Sequence, residues 1–224
     1  MLGFDAISER IAAIAPLVVA HADEADANRH LSAPVAQAMA RAGLYRVAAP
    51  EKVGGSEEQP VTQIKTIEAV STLDGAAGWT LMIGLEGMGV LGATLPPDQA
   101  AQLFADPELI VSSALNPLGR AEAAGADVSV TGQWPFASGC HNAHFFWGQS
   151  LLTRNGEVVR DKNGVTLLET VIPRSKFEIV DTWQVSGLRG SGSHDVRVEN
   201  VTVKPEFVTR LNSRPGNADG PLYR

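Results

Sequence analysis

Apolar positions recur at helical spacing through the first hundred residues and alternate as in strands through most of the rest. Ile7, Ile11, Ile14 and Val18 share one face of a first helix, with Pro16 marking a kink. Ser32 is placed to cap a second helix, with Pro34 in its first turn and Gly43 closing it. After a loop at Glu51-Lys52-Val53-Gly54-Gly55-Ser56, a third helix carries Val61, Ile64 and Ile67. Asp74 is placed to cap a fourth, rich in glycine, and a short helix follows the Leu95-Pro96-Pro97-Asp98 turn and runs through Phe104. Near Asp106-Pro107 the pattern changes. Alternation and β-branched residues then predict strands over 109–115, 126–131, 145–153, 165–172, 177–183 and 194–203. Asn155-Gly156 and Asn163-Gly164 are hairpin dipeptides between them. The expectation is an α+β multidomain chain. A helical N-terminal domain covers 1–107, an all-β barrel or sandwich covers 108–210, and 211–224 has linker composition.

Composition narrows the function classes. The 224 residues are 44% apolar and 19% charged, as in an ordinary globular protein. A net charge of −7, with no basic stripe, argues against a nucleic-acid partner. The single cysteine, Cys140, forbids an intrachain disulfide and suits a cytoplasmic location; it reads as a small buried hydrophobe. Glu9 and Arg10 interrupt the early apolar residues, so no secretory signal is expected. The segment 75–95 is long enough to span a bilayer and carries one charge, Glu86. Its glycines at 75, 78, 84, 87, 89 and 92 each weaken a helix by about 1 kcal/mol and make more sense under close helix packing than in a membrane.

Candidate chemistry concentrates in Val130-Thr131-Gly132-Gln133-Trp134-Pro135-Phe136-Ala137-Ser138-Gly139-Cys140. Thr131-Gly132 reads as a tight turn. Trp134 and Phe136 offer flat apolar surface, Pro135 stiffens the backbone, and Ser138-Gly139 lets a polar group approach closely. These parts suit an aromatic heterocycle such as a flavin; they equally suit a strand with core aromatics. His141, Asn142 and His144 lack further ligands at workable spacing, so no metal site is expected. Ser193-His194-Asp195 holds the residue types of a hydrolase triad, but strand neighbours point to opposite faces. Gly187 to Ser193 lacks the lysine and following helix of a phosphate loop and reads as a flexible loop, its N–H groups and hydroxyls available to a cofactor phosphate. Glu86, if buried, is a candidate proton-transfer group; such residues more often reach solvent or a partner.

Ala42-Gly43-Leu44-Tyr45-Arg46, Pro50 and Gly54-Gly55, followed by the β-region motif, resemble the acyl-CoA dehydrogenase superfamily. The segments 131–140 and 181–193 resemble its flavin-dependent monooxygenase branch, the oxygenase components of aromatic hydroxylases; the dehydrogenase branch reads more like Trp-Ile-Thr-Asn-Gly at the first motif. The resemblance implies a helical N-terminal domain, an antiparallel β-barrel middle domain and a C-terminal four-helix bundle, with the sequence ending where the bundle would begin. It implies reduced flavin (FMN or FAD) delivered by a separate reductase, dioxygen, a small aromatic or heterocyclic substrate, and a homo-oligomer, a tetramer in the family. Carried over by position, Trp134, Phe136, Ala137, Ser138 and Gly139 contact the flavin, with Asn116 opposite and Ser138 the catalytic group near N5. Phenol hydroxylases of this branch often place a histidine near Leu85-Glu86-Gly87-Met88, and this chain has none. An acyl-CoA dehydrogenase and a non-catalytic fragment are the alternatives.

Overall fold

The computed structural model describes residues 1–210 and Leu222; the predicted linker otherwise lies outside the described residues. Six helices come first: α1 Phe4–Ala20, α2 Ala22–Asn28, α3 Ala33–Arg41, α4 Pro60–Ser71, α5 Gly75–Thr94 and α6 Pro97–Phe104. Helix α1 is continuous through Pro16 and buries Ile7, Ile11 and Val18. Ser32 holds the N-cap position of α3, but its hydroxyl makes no capping bond. Asp74 does cap α5, accepting from the Ala77 N–H at 2.7 Å. The apolar stripe of α4 is turned the unexpected way. Thr66 and Val70 are buried, while Val61 and Ile64 are exposed.

Helix α5 is the central post. It is apolar and long enough to cross a membrane, yet 72% of its most apolar window is buried inside the fold. Glycine is needed where neighbours touch its backbone: a Cβ at Gly84 would lie 2.6 Å from the Tyr45 ring, and one at Gly78 would lie 2.7 Å from the Ser71 Cα. Close packing, as the glycine content predicts, is what the helix experiences.

The strands are β1 Val111–Ala124, β2 Asp127–Trp134, β3 Phe145–Arg154, β4 Glu157–Val158, β5 Arg160–Asp161, β6 Gly164–Val165, β7 Leu167–Pro173, β8 Glu178–Val180, β9 Asp195–Val203 and β10 Val208–Thr209. The main sheet runs β10-β7-β3-β1-β2-β9-β8, with β4 on β3, while β5 and β6 form a separate hairpin. All pairs are antiparallel except β1 with β3, so the sheet is mixed. Strand alternation gives it two apolar faces. Phe146 points into a core with Val130, Trp134, Ile172, Val196 and Val198, whereas its neighbour Trp147 joins the helical core with Val171.

Two irregularities position the site. Between the pairs Ala114↔Gly148 and Gly119↔Ser150, β1 takes more residues than β3, and Asn116, Pro117 and Leu118 bulge outward. Proline, with no N–H for the ladder, is tolerated there. The sequence pattern ends the predicted strand at Leu115; the strand in fact continues through the bulge to Ala124. Likewise Thr131-Gly132 is not a turn. It lies within β2, opposite a bulge in β9 where Asn200 adopts φ 50° and donates its N–H to Thr131 Oγ1 at 2.9 Å.

Candidate active site

Beyond β2 the chain crosses 135–144 before re-entering the sheet at Phe145. Backbone bonds tie this crossing to the loop before β9: Ala137 N–H donates to His194 O at 3.0 Å and Gly139 N–H to Ser191 O at 2.9 Å. Immediately before them the chain turns outward at Phe136, which adopts a left-handed φ of 62° and is 61% exposed. An aromatic residue in that conformation costs on the order of 1–2 kcal/mol. Leu188, across the opening, is also left-handed at φ 52° and exposed.

These residues border a cleft of about 330 Å³ against α5. Its apolar lining includes Trp79, Ile83, Leu115, Phe136, Trp183 and Leu188. Trp183 meets Phe136 edge-on at 6.1 Å and is anchored by its Nε1–H donating to Leu188 O at 3.3 Å. The polar lining is Glu86, Ser113, Asn116, Ser138, Ser191 and Ser193.

Ser138 is the hub. It is 3% exposed, and its Oγ accepts the Trp79 Nε1–H at 3.0 Å. A file of hydroxyls continues behind it: Ser138 Oγ to Ser193 Oγ at 2.7 Å, and Ser193 Oγ to Ser191 Oγ at 2.7 Å. Its backbone carbonyl accepts from Ser112 Oγ at 2.9 Å. A hydroxyl has one proton and two acceptor sites. When Trp79 and Ser193 both donate to it, Ser138 keeps its own proton for an acceptor in the cleft.

The sequence-predicted residues divide here. Asn116, Phe136 and Ser138 line the cleft. Trp134, Ala137 and Gly139 do not. Trp134 is fully buried; its Nε1–H donates to Gln149 O at 2.6 Å and its ring tilts against Phe146 at 5.4 Å. Glycines make the slot for it, since a Cβ at Gly119 would lie 2.0 Å from the indole. Ala137 is fully buried, and the side of Gly139 that a Cβ would occupy is filled by Thr80. The 187–193 segment is not a flexible loop but a packed turn. Gly190 wedges between Ala25 and Ala76, and the N–H groups of Ser191 and Gly192 close the turn on Leu188 and Arg189. Those two groups are therefore engaged within the turn itself. Sequence reasoning missed Trp79 and Trp183, and it offered the hydroxyls of Ser191 and Ser193 to a cofactor phosphate, where the structure joins them to Ser138.

Neighbouring chemistry is quieter. Burial pushes the Cys140 thiol up to about 12, and it donates to Gly192 O at 3.4 Å, so it is not a nucleophile. His141 stacks on His30 at 4.1 Å and meets His194 at 5.0 Å. Burial, then the adjacent imidazoles, lower His141 to about 4, so it is neutral at pH 7. A larger opening of about 990 Å³ lies by β7 and β9, lined by Lys176, Arg197 and Lys204 and by Glu178, Glu199 and Glu206. That opening also holds Phe145, Phe177 and Phe207, but its rim is of mixed charge and none of the sequence-predicted site residues lines it.

Residues 5–98 match the family model described as Acyl-CoA dehydrogenase, N-terminal domain. The crystal structure of 3-HSA hydroxylase from Rhodococcus sp. RHA1 superposes with a TM-score of 0.82 at 26% identity, covering 91% of this chain and 52% of that one. The chain thus carries an acyl-CoA dehydrogenase N-terminal domain and has the acyl-CoA dehydrogenase-like fold. Within that class its relatives are monooxygenases. It is 33% identical to the indole-3-acetate monooxygenase of Pseudomonas putida over 90% of this chain and 50% of the relative. It is 28% identical to the flavin-dependent monooxygenase, oxygenase subunit HsaA, of Rhodococcus jostii over 89% of this chain and 51% of the relative. The chain spans about half the length of the curated relatives it matches.

Proposed function

We propose that this chain forms the helical and β-sheet part of the oxygenase component of a two-component flavin-dependent monooxygenase. On this reading it takes reduced FMN or FAD from a separate reductase and, with dioxygen, hydroxylates an aromatic or heteroaromatic substrate. The observation that carries the reading is Ser138: a buried hydroxyl, already accepting the Trp79 N–H, at a cleft walled by Phe136, Trp79 and Trp183. Likeness to the two monooxygenase relatives along nine-tenths of this chain supports it.

The residues present fit a flavin, which is flat and apolar on its faces and polar along one edge. Phe136, Trp79 and Trp183 would hold the faces, and Ser138 and Asn116 the polar edge. Trp134, Ala137 and Gly139 support that wall from behind. When bound, reduced flavin supplies the electrons that activate dioxygen. Ser138 holds a proton at Oγ for the ring edge, while Ile83, Leu115 and Leu188 exclude water from the pocket. A cytoplasmic homo-oligomer is part of the reading, and the exposed α4 stripe of Val61 and Ile64 is surface that assembly would cover.

The test supplies the intact natural protein with reduced flavin, dioxygen and a panel of aromatic compounds. The expected product is heavier by one oxygen atom on mass spectrometry. Peroxide alone across the panel would contradict the proposal, and anaerobic bleaching of bound oxidised flavin by an acyl-CoA would point to a dehydrogenase instead.

A further inference from the structure

Among the described residues, the cleft lining contains a single ionisable side chain, Glu86. Trp79, Ile83 and Glu86 stand at i, i+4 and i+7 on α5, so one face of that helix meets the opening. The opposite face is sealed in the core through Leu81, Leu85 and Met88. Glu86 itself is exposed, and its carboxyl group forms no hydrogen bond or ion pair with another described residue. Among the described residues, no cation lines the cleft to offset it. The other polar lining groups, serine hydroxyls and the Asn116 amide, both donate and accept. Glu86 alone is a carboxylic acid, acceptor-only when ionised.

A substrate beside the flavin in this opening therefore meets a carboxylate at one part of its rim. An N–H or O–H there gains a charge-assisted hydrogen bond, and a cation gains attraction as well. A second carboxylate meets like charge in a partly dry cleft, where the interaction is several times stronger than in bulk water. We infer that Glu86 sets the charge of the substrate: the site takes a neutral or cationic aromatic bearing an N–H or O–H donor and rejects aromatic acids. The inference rests on the proposed function, which seats the flavin ring against Phe136, Trp79 and Trp183 and brings the substrate to the Glu86 side of the same opening. It sets the chain apart from the Pseudomonas putida relative, which is named for an acid, indole-3-acetate.

The experiment is equilibrium binding of indole and of indole-3-acetate to the intact natural protein, followed by calorimetry, with Glu86→Gln and Glu86→Ala as variants. The wild type is expected to bind indole at least about tenfold more tightly than the acid, and each variant to narrow that ratio to within about threefold, chiefly by tightening the acid. Raising the salt concentration should narrow the wild-type ratio and leave that of Glu86→Gln unmoved. Equal binding of the two compounds by the wild type, an unchanged ratio in both variants, or binding of neither compound would overturn the inference. No turnover is needed. A protein that prefers indole but yields no oxygenated product sinks the proposed function and spares this inference; one that hydroxylates yet binds the acid equally well does the reverse.

Discussion

Trp134→Ala is expected to lower the unfolding free energy by about 3–5 kcal/mol, the range for truncating a buried large aromatic. The indole is fully buried, fills the slot left by Gly119 and Gly132, and packs on Phe146. Its loss also strips the Gln149 carbonyl of its donor. Phe136→Ala, two residues on, should change stability by only about 0.5 kcal/mol, as surface substitutions usually do, because that ring is 61% exposed. Phe136→Ala should instead weaken flavin binding through loss of the wall it forms with Trp183. Denaturant unfolding of both variants checks the contrast. Similar losses from the two, or a larger one from Phe136→Ala, would mean that Trp134 is not the core residue described here.

Ser138→Ala is expected to cut hydroxylated product per flavin oxidised by about ten- to a hundredfold, the effect of losing about 1–3 kcal/mol from one well-placed hydrogen bond. Peroxide should rise in step. The variant removes the acceptor of the Trp79 N–H and the partner of Ser193 as well as the proton offered to the cleft. Ser191→Ala, at the far end of the hydroxyl file, leaves both Ser138 bonds in place and should cost less. Wild-type coupling in Ser138→Ala, measured as product against peroxide, would remove that residue from the chemistry.

Much of the scaffold was legible because its signals are local. Asp74 before an apolar run marks the start of α5, and Asn155-Gly156 supplies the two left-handed residues, at φ 53° and 78°, that a two-residue hairpin needs. Helix α2 was not legible: Ala22–Asn28 offers only alanine as apolar material, so no periodicity shows. The stripe on α4 was visible, but which side of it would be covered was not. At the site, strand parity held an unused clue. Val128, Val130 and Trp134 share one parity along β2, and the bulge that shifts the register sits in β9, so Trp134 faces inward with the two valines. The rest of the cleft was out of reach because Trp79 and Ser193 lie 59 and 55 positions from Ser138 and meet it only through the fold. No local pattern marks such a meeting.

What decides the account is where a flavin comes to rest on the intact natural protein, seen in a crystal structure of the complex. The prediction is a ring against Phe136 and Trp79, its polar edge within hydrogen-bond distance of Ser138 Oγ. A flavin seated instead in the opening by β7 and β9, with Ser138 still bonded only to Trp79 and Ser193, would contradict it.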